Sequence, residues 1–204
     1  ALGEATRGHY ACVNALCDGL RMAAAALTTE PKGLAPDMAR PADILTVAAV
    51  PGRRAALDVC VASPNAAMAR GNAAKAAFER KLDHYKDTIP HLHAAGIAFR
   101  PMVWTADARP HPAAVRTLRF AAGIAIRKSH LPTKEADVVT RWKHEITVAI
   151  ARRRAAMTRA VLPQQAEQLQ WILGGRPREG EAENAPGRLL TVEDDEELPE
   201  VEVD

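Results

Sequence analysis

The sequence predicts a mixed α/β domain: a small mixed sheet flanked by helices, with additional helices and a disordered acidic tail toward the C-terminus. Three observations predict it. Alanine- and leucine-rich segments repeat apolar residues every three or four positions, as core-facing helices do. Shorter β-branched runs around Asp43, around Asp58 and over 96–104 read as strands. Residues 179–204 carry eleven acids against a single base, Arg188, a balance that cannot bury a core.

Taken in order, residues 4–27 predict a helix, with Val13, Leu16, Leu20 and Ala24 on its apolar stripe. Thr28-Thr29-Glu30 leads into a Pro/Gly-rich loop that runs to Arg40. Two strand-like runs follow, joined through Pro51-Gly52, a turn pair that folds them into a hairpin. Ser63-Pro64-Asn65 marks a stop and a helix cap, and 66–89 read as a charged helix. Pro101 inside the strand at 96–104 predicts an edge position or an irregularity. His111-Pro112 opens a helix to 128, and another spans 134–161 with Trp142, Ile146, Ala149 and Ile150 as core candidates. Pro163 predicts a break, a short helix follows, and Gly174-Gly175 caps it. The expected organisation is one folded domain over 1–162, a short helix and linker over 163–178, and a tail over 179–204.

Composition narrows the function. The chain has 48% hydrophobic but only 4% aromatic residues, so its core must be built from small aliphatic side chains. No apolar run approaches the roughly 20 residues that span a bilayer, and the start lacks the apolar stretch of a secretory signal. Without an initiator Met, the chain reads as a piece of a longer polypeptide. Three cysteines, Cys12, Cys17 and Cys60, predict no disulfide framework and a reducing, intracellular or nuclear setting. Cys12 and Cys17 with His9 do not have zinc-ligand spacing. The net charge of +2 conceals a basic body of +12 over residues 1–178, which predicts an anionic partner such as nucleic acid. No Gly-rich phosphate loop or nucleophile–base pattern signals a small-molecule cofactor or covalent catalysis.

Asp43 and Asp58 carry the chemistry. Fourteen residues separate them, so a hairpin returns the second strand beside the first and brings the acids to its open end. Paired carboxylates hold a hard divalent cation through oxygen, and such a cation activates water and stabilises a phosphoryl transition state. Downstream, Lys81 and Tyr85 share one helical face. A lysine beside two such acids can neutralise charge in that transition state, and a tyrosine can position the lysine or a phosphate. Arg152, Arg153 and Arg154 form a basic cluster suited to salt-dependent phosphate contacts. Arg40, Lys75 and His84 are further phosphate-contact candidates. Lys75, Arg80 and Lys86 also fit ordinary pairing on a solvated helix face.

The run Arg40-Pro41-Ala42-Asp43, then Asp58-Val59-Cys60-Val61-Ala62-Ser63-Pro64, then Lys81 to Tyr85 resembles the restriction-like endonuclease domain of site-specific non-LTR retrotransposons, within the PD-(D/E)XK nuclease superfamily. The likeness continues through Gly96–Val103 and Arg141-Trp142 and covers about residues 8–160. It implies a restriction-endonuclease-like α/β fold over 1–162, attached to a reverse transcriptase polyprotein. Asp43 and Asp58 would be metal ligands for Mg2+ or Mn2+, Lys81 the catalytic lysine and Tyr85 an auxiliary residue. Glu30 corresponds to an acid that some members add. Such domains nick target DNA by phosphodiester hydrolysis; the expected partners are DNA and the element's RNA, with no membrane. Four positions depart from the pattern. Ala42, not proline, precedes the acid; Cys60 stands where many members keep their lysine; Val13 replaces an expected polar residue, with His9 one turn earlier; and Trp104-Thr105-Ala106-Asp107 stands after Val103, where members tend to show an acid and glycines. The alternative reading is a catalytically inactive nucleic-acid-binding remnant of the same fold, and a third is a structural interaction module.

Overall fold

A computed structural model describes residues 2–24, 26–34, 40–62, 72–130 and 132–173. The chain divides into two units, Ala1–Leu162 and Pro163–Asp204. The first is mixed α/β. Its elements are α1 (Leu2–Ala23), β1 (Leu27–Thr29), β2 (Ile44–Thr46), β3 (Arg54–Ala62), α2 (Ala73–His84), α3 (Thr88–Ala94), β4 (Ile97–Thr105), α4 (Pro112–Ser129) and the start of α5 (Glu135–Leu173).

The sheet runs β1-β2-β3-β4. β1 and β2 are antiparallel, as are β2 and β3, while β3 and β4 are parallel across their full nine residues. The antiparallel pair is the expected hairpin. Its connection includes Gly52 at φ 69°, a left-handed backbone that an L side chain resists. The parallel pair needs a crossover, and α2 and α3 supply it.

Side-chain alternation along β3 divides the unit into layers. Ala55, Leu57 and Val59 join Leu16, Leu20, Leu118 and Trp142 in the main core, which packs α1, α4 and α5 on one face of the sheet. Ala56 and Ala62 face the other way into two smaller clusters under α3 and α2. Trp142 packs within 3.0 Å of where a side chain at Gly19 would begin, so this approach of α5 to α1 requires glycine.

Pro101 sits in β4, the outer strand among the described residues. Alternate residues direct their N–H groups to opposite neighbours. Val59 N–H turns toward Asp43, so Asp58 N–H turns toward β4. The paired Pro101 then faces its nitrogen outward, where proline removes no ladder bond.

Four local expectations are corrected. Residues 27–29 form β1, where Leu27 was expected to end the first helix and Thr28-Thr29 to lead into a loop, because Leu27, Thr28 and Thr29 pair with Thr46, Leu45 and Ile44. β2 ends at Thr46, short of the run to Val50. The helix expected over 66–89 divides into α2 and α3, and α2 is capped by Asn72, whose Oδ1 accepts from Lys75 N–H at 3.0 Å. α5 continues through Pro163 to Leu173, because one missing N–H is outweighed by helix-forming Ala, Gln, Glu and Leu on either side. The Ser63-Pro64-Asn65 cap, the Gly174-Gly175 cap and the tail over 179–204 lie outside the described residues, as does the Trp171 side chain.

Candidate active site

Asp43 lies just before β2 and Asp58 in the middle of β3. Extending the β2–β3 register by one residue puts them opposite each other. The ladder changes at this point: Asp43 N–H bonds Leu57 O at 2.9 Å, one residue off register. Val59 N–H then donates to the Asp43 side chain, at Oδ2, at 2.6 Å. A carboxylate has taken the place of a backbone acceptor, so Asp43 is pinned against β3 beside Asp58. The β2 pairing stops at Leu57, so among the described residues β3 beyond Asp58 has no strand neighbour on this side.

α2 lies over the same face of β3 and lowers Lys81 onto Asp58. The ammonium donates to Oδ1 at 3.1 Å and stands 3.0 Å from Oδ2. The second approach is off the hydrogen-bonding angle, so Oδ2 is in ion-pair contact yet buried without a hydrogen bond. Asp58 is 5% exposed. Burial pushes its carboxyl up to about 6, against the opposing pull of Lys81; the nearby Asp43 charge adds to the rise. Burial also pulls the Lys81 ammonium down, but the Asp58 carboxylate outweighs it and the net direction is up.

α1 brings a third element. His9 Nε2 stands 3.0 Å from Asp43 Oδ1, and this bond raises the imidazole above its ordinary value. The next residue, Tyr10, donates to Glu30 Oε1 at 2.6 Å, and Glu30 N–H donates to Asp43 O at 2.8 Å. Glu30 adopts φ 47° and is exposed. Its backbone therefore flanks Asp43 while its carboxylate is turned to Tyr10 at the rim.

Tyr85 follows α2. Its ring meets Phe99 edge-on at 5.1 Å and lies 5.7 Å from Lys81 Nζ. Burial raises the phenol. The hydroxyl reaches Arg40 O at 3.5 Å, the long limit of a hydrogen bond. His84 packs edge-on against Tyr85 at 4.6 Å and is exposed.

The structure thus gathers Asp43, Asp58, Lys81 and Tyr85, with Arg40 and His84 at the margin. Lys75 is apart, 3.7 Å from Glu79 on the exposed face of α2. Arg152 and Arg153 line an open groove of about 420 Å³ between α1 and α5, with Asn14, Asp18 and Glu145. Arg154 donates to Ala106 O at 3.2 Å. Asp18 and Glu145 in that groove pair with Arg21 and Arg141, whereas the buried acid lies at the β2–β3 site. Sequence reasoning weighed His9 only as a zinc partner for Cys12 and Cys17, which the spacing excludes, and as the polar residue one turn before Val13. Its signal was present: one turn before Val13, it extends the buried stripe of α1 to the acids.

No group of three or more His, Cys, Asp or Glu side chains gathers at ligating distance among the described residues. The donor set nevertheless suits a hard cation. Asp43 and Asp58 offer only oxygen, one Asp58 oxygen is buried without a hydrogen bond, and Mg2+ commonly binds one or two carboxylates while keeping several waters. None of the described helices is long and apolar enough to cross a membrane. No family model matches the chain, and neither a curated protein nor a solved structure shows detectable similarity to it.

Proposed function

We propose that residues 1–162 form a divalent-metal-dependent DNA endonuclease domain of restriction-like fold, part of a retroelement-derived reverse transcriptase protein. One observation carries the reading: two acids from adjacent strands and a lysine from the crossover helix converge, with one acid buried and incompletely bonded. A buried carboxylate pushed up by desolvation beside a specific cation is a functional-site candidate on physical grounds. The mixed sheet with helices on both faces supports the fold half of the reading, and the basic body supports DNA as the partner.

Asp43 and Asp58 would hold Mg2+ or Mn2+, which supplies an activated water and charge neutralisation when bound. The chain's own contribution is placement. Val59 N–H fixes the Asp43 carboxylate, and the rigid β3 backbone fixes Asp58. Lys81, whose ammonium stands beside Asp58, would neutralise charge growing on the phosphoryl oxygens there. Water oxygen would bond to phosphorus and give up a proton to solvent, the bond from phosphorus to the 3′ oxygen would break, and that oxygen would take a proton from solvent, leaving a 5′-phosphate and a 3′-hydroxyl.

Nicking of supercoiled plasmid in Mg2+ or Mn2+ tests this directly. Asp58→Ala should lower the nicking rate by on the order of 10²–10³-fold or more, with DNA affinity changed by less than about threefold, since phosphate contacts elsewhere dominate affinity. The second reading, a silent DNA-binding remnant, is favoured by the Lys81–Asp58 ion pair, which engages the lysine with a protein carboxylate. A wild-type chain that binds DNA and never cuts it, in either metal, selects that reading. Failure to bind DNA even at low salt rejects both.

A further inference from the structure

We infer that His9 is a positioning residue for Asp43, setting the plane in which that carboxylate meets a divalent cation; the inference rests on the nuclease reading above. The terminal torsion of an aspartate is broad, so a carboxylate held through one oxygen can swing. Asp43 is held through both. Val59 N–H takes Oδ2 at 2.6 Å, and His9 takes Oδ1 at 3.0 Å. Each oxygen accepts one bond and keeps a lone pair, so the clamp leaves Asp43 able to ligate while forbidding rotation. Ligating carboxylates commonly depend on outer hydrogen-bond partners of this kind, and losing one costs about 10–100-fold in metal affinity or activity.

The imidazole is itself held. Val13, Leu16 and Leu20 are buried in the main core and anchor α1 against the sheet, and His9 continues their stripe by one turn. Tyr10 and Glu30 add a second tie between α1 and the sheet, and Glu30 N–H returns to Asp43 O. His9, Asp43, Glu30 and Tyr10 thus close a ring of bonds across α1, β1 and the start of β2. A simple tie between α1 and the sheet would need only the Tyr10–Glu30 contact and the apolar stripe. The additional bond to a carboxylate oxygen beside Asp58 is what assigns His9 to the site.

The test uses the full chain as wild type, His9→Ala and His9→Gln, with Asp43→Ala as the ligand-loss reference. Mn2+ affinity is measured by electron paramagnetic resonance titration, nicking against Mg2+ concentration is followed in parallel, and metal-free thermal melts monitor folding. His9→Ala should weaken Mn2+ binding by about tenfold or more and raise the Mg2+ needed for half-maximal nicking in proportion. His9→Gln, whose amide can donate to the same oxygen, should recover to within about threefold of wild type. A His9→Ala chain that binds Mn2+ like wild type overturns the inference, as does a folded His9→Gln chain no better than His9→Ala. If wild type binds no Mn2+ and cuts nothing, the nuclease reading falls and this inference with it. If wild type cuts and the His9 variants match it throughout, only the inference falls.

Discussion

Leu57 and Asp58 are neighbours on β3 and are buried almost equally, at 0% and 5% exposure, yet they stand in opposite physical situations. Leu57 points into the aliphatic layer beneath α1, among Leu16, Leu20, Val59 and Met102, and its side chain has no polar atom to satisfy. Asp58 points toward α2, carries a charge, and leaves one oxygen without a hydrogen bond. One face of the strand packs only apolar side chains; on the other, Asp58 is held against its own desolvation between Ala56 and Ala62, which pack under α3 and α2. A nine-residue parallel pairing with β4 lets a single strand do both, because the backbone that positions Asp58 is fixed by contacts on the far face.

The largest effect should come from breaking the apolar face. Leu57→Ala removes a fully buried side chain and should cost about 2–5 kcal/mol of unfolding free energy in a urea titration. Metal binding should weaken with it, since the strand then moves. A loss below about 1 kcal/mol would show that the two faces do not divide their roles in this way.

The next effect has the opposite sign. Burial lifts the Asp58 carboxyl from 3.8 to about 6, so the folded chain binds that proton more tightly than the unfolded one. Stability therefore falls as pH rises from about 4 to about 6, and the penalty is complete above that window, on the order of 3 kcal/mol. Asp58→Asn removes the penalty. The metal-free variant should be more stable than wild type at pH 8 by up to about that amount, less whatever Lys81 loses as its partner disappears. The two proteins should converge toward pH 4. His9 contributes in the same direction in both: its raised imidazole stabilises the fold below 6.5, and this is lost as pH climbs through the raised value. The Lys81 shift acts only above 10.5 and leaves this window untouched. A variant less stable than wild type at pH 8 would mean that the ion pair, not burial, governs Asp58.

The two faces were unequally legible in the sequence. The alternation of Leu57 and Val59 with Asp58 and Cys60 shows directly which residues share a face, and the Pro51-Gly52 turn specifies that the acids return toward each other. Helical spacing only put Lys81 on one face with Tyr85; the family resemblance is what brought it to the acids. β1 was not legible, because Leu27-Thr28-Thr29 is three residues long and strand only by virtue of its partner. The passage of α5 through Pro163 was missed because one strong local breaker was weighed against flanking propensity that acts over many residues. His9 was visible as a letter but not as a role: its contact with Asp43 spans 34 positions, and only the packing of α1 decides whether that contact exists.

Tyr85 belongs to neither face cleanly, and it gives the smallest expected effect. Its hydroxyl meets Arg40 O only at 3.5 Å, the long limit of a hydrogen bond, whereas its ring is engaged twice, edge-on to Phe99 and beside the Lys81 ammonium. Tyr85→Phe should therefore change stability by less than about 0.5 kcal/mol and nicking by less than about threefold. Tyr85→Leu should cost more, on the order of 0.5–1.5 kcal/mol, because it removes the aromatic edge and the face presented to Lys81. If Tyr85→Phe instead abolishes nicking while the melt is unchanged, the hydroxyl must leave Arg40 and reach the substrate. Tyr85 would then join Asp58 on the reactive side of the strand rather than supporting it from the margin.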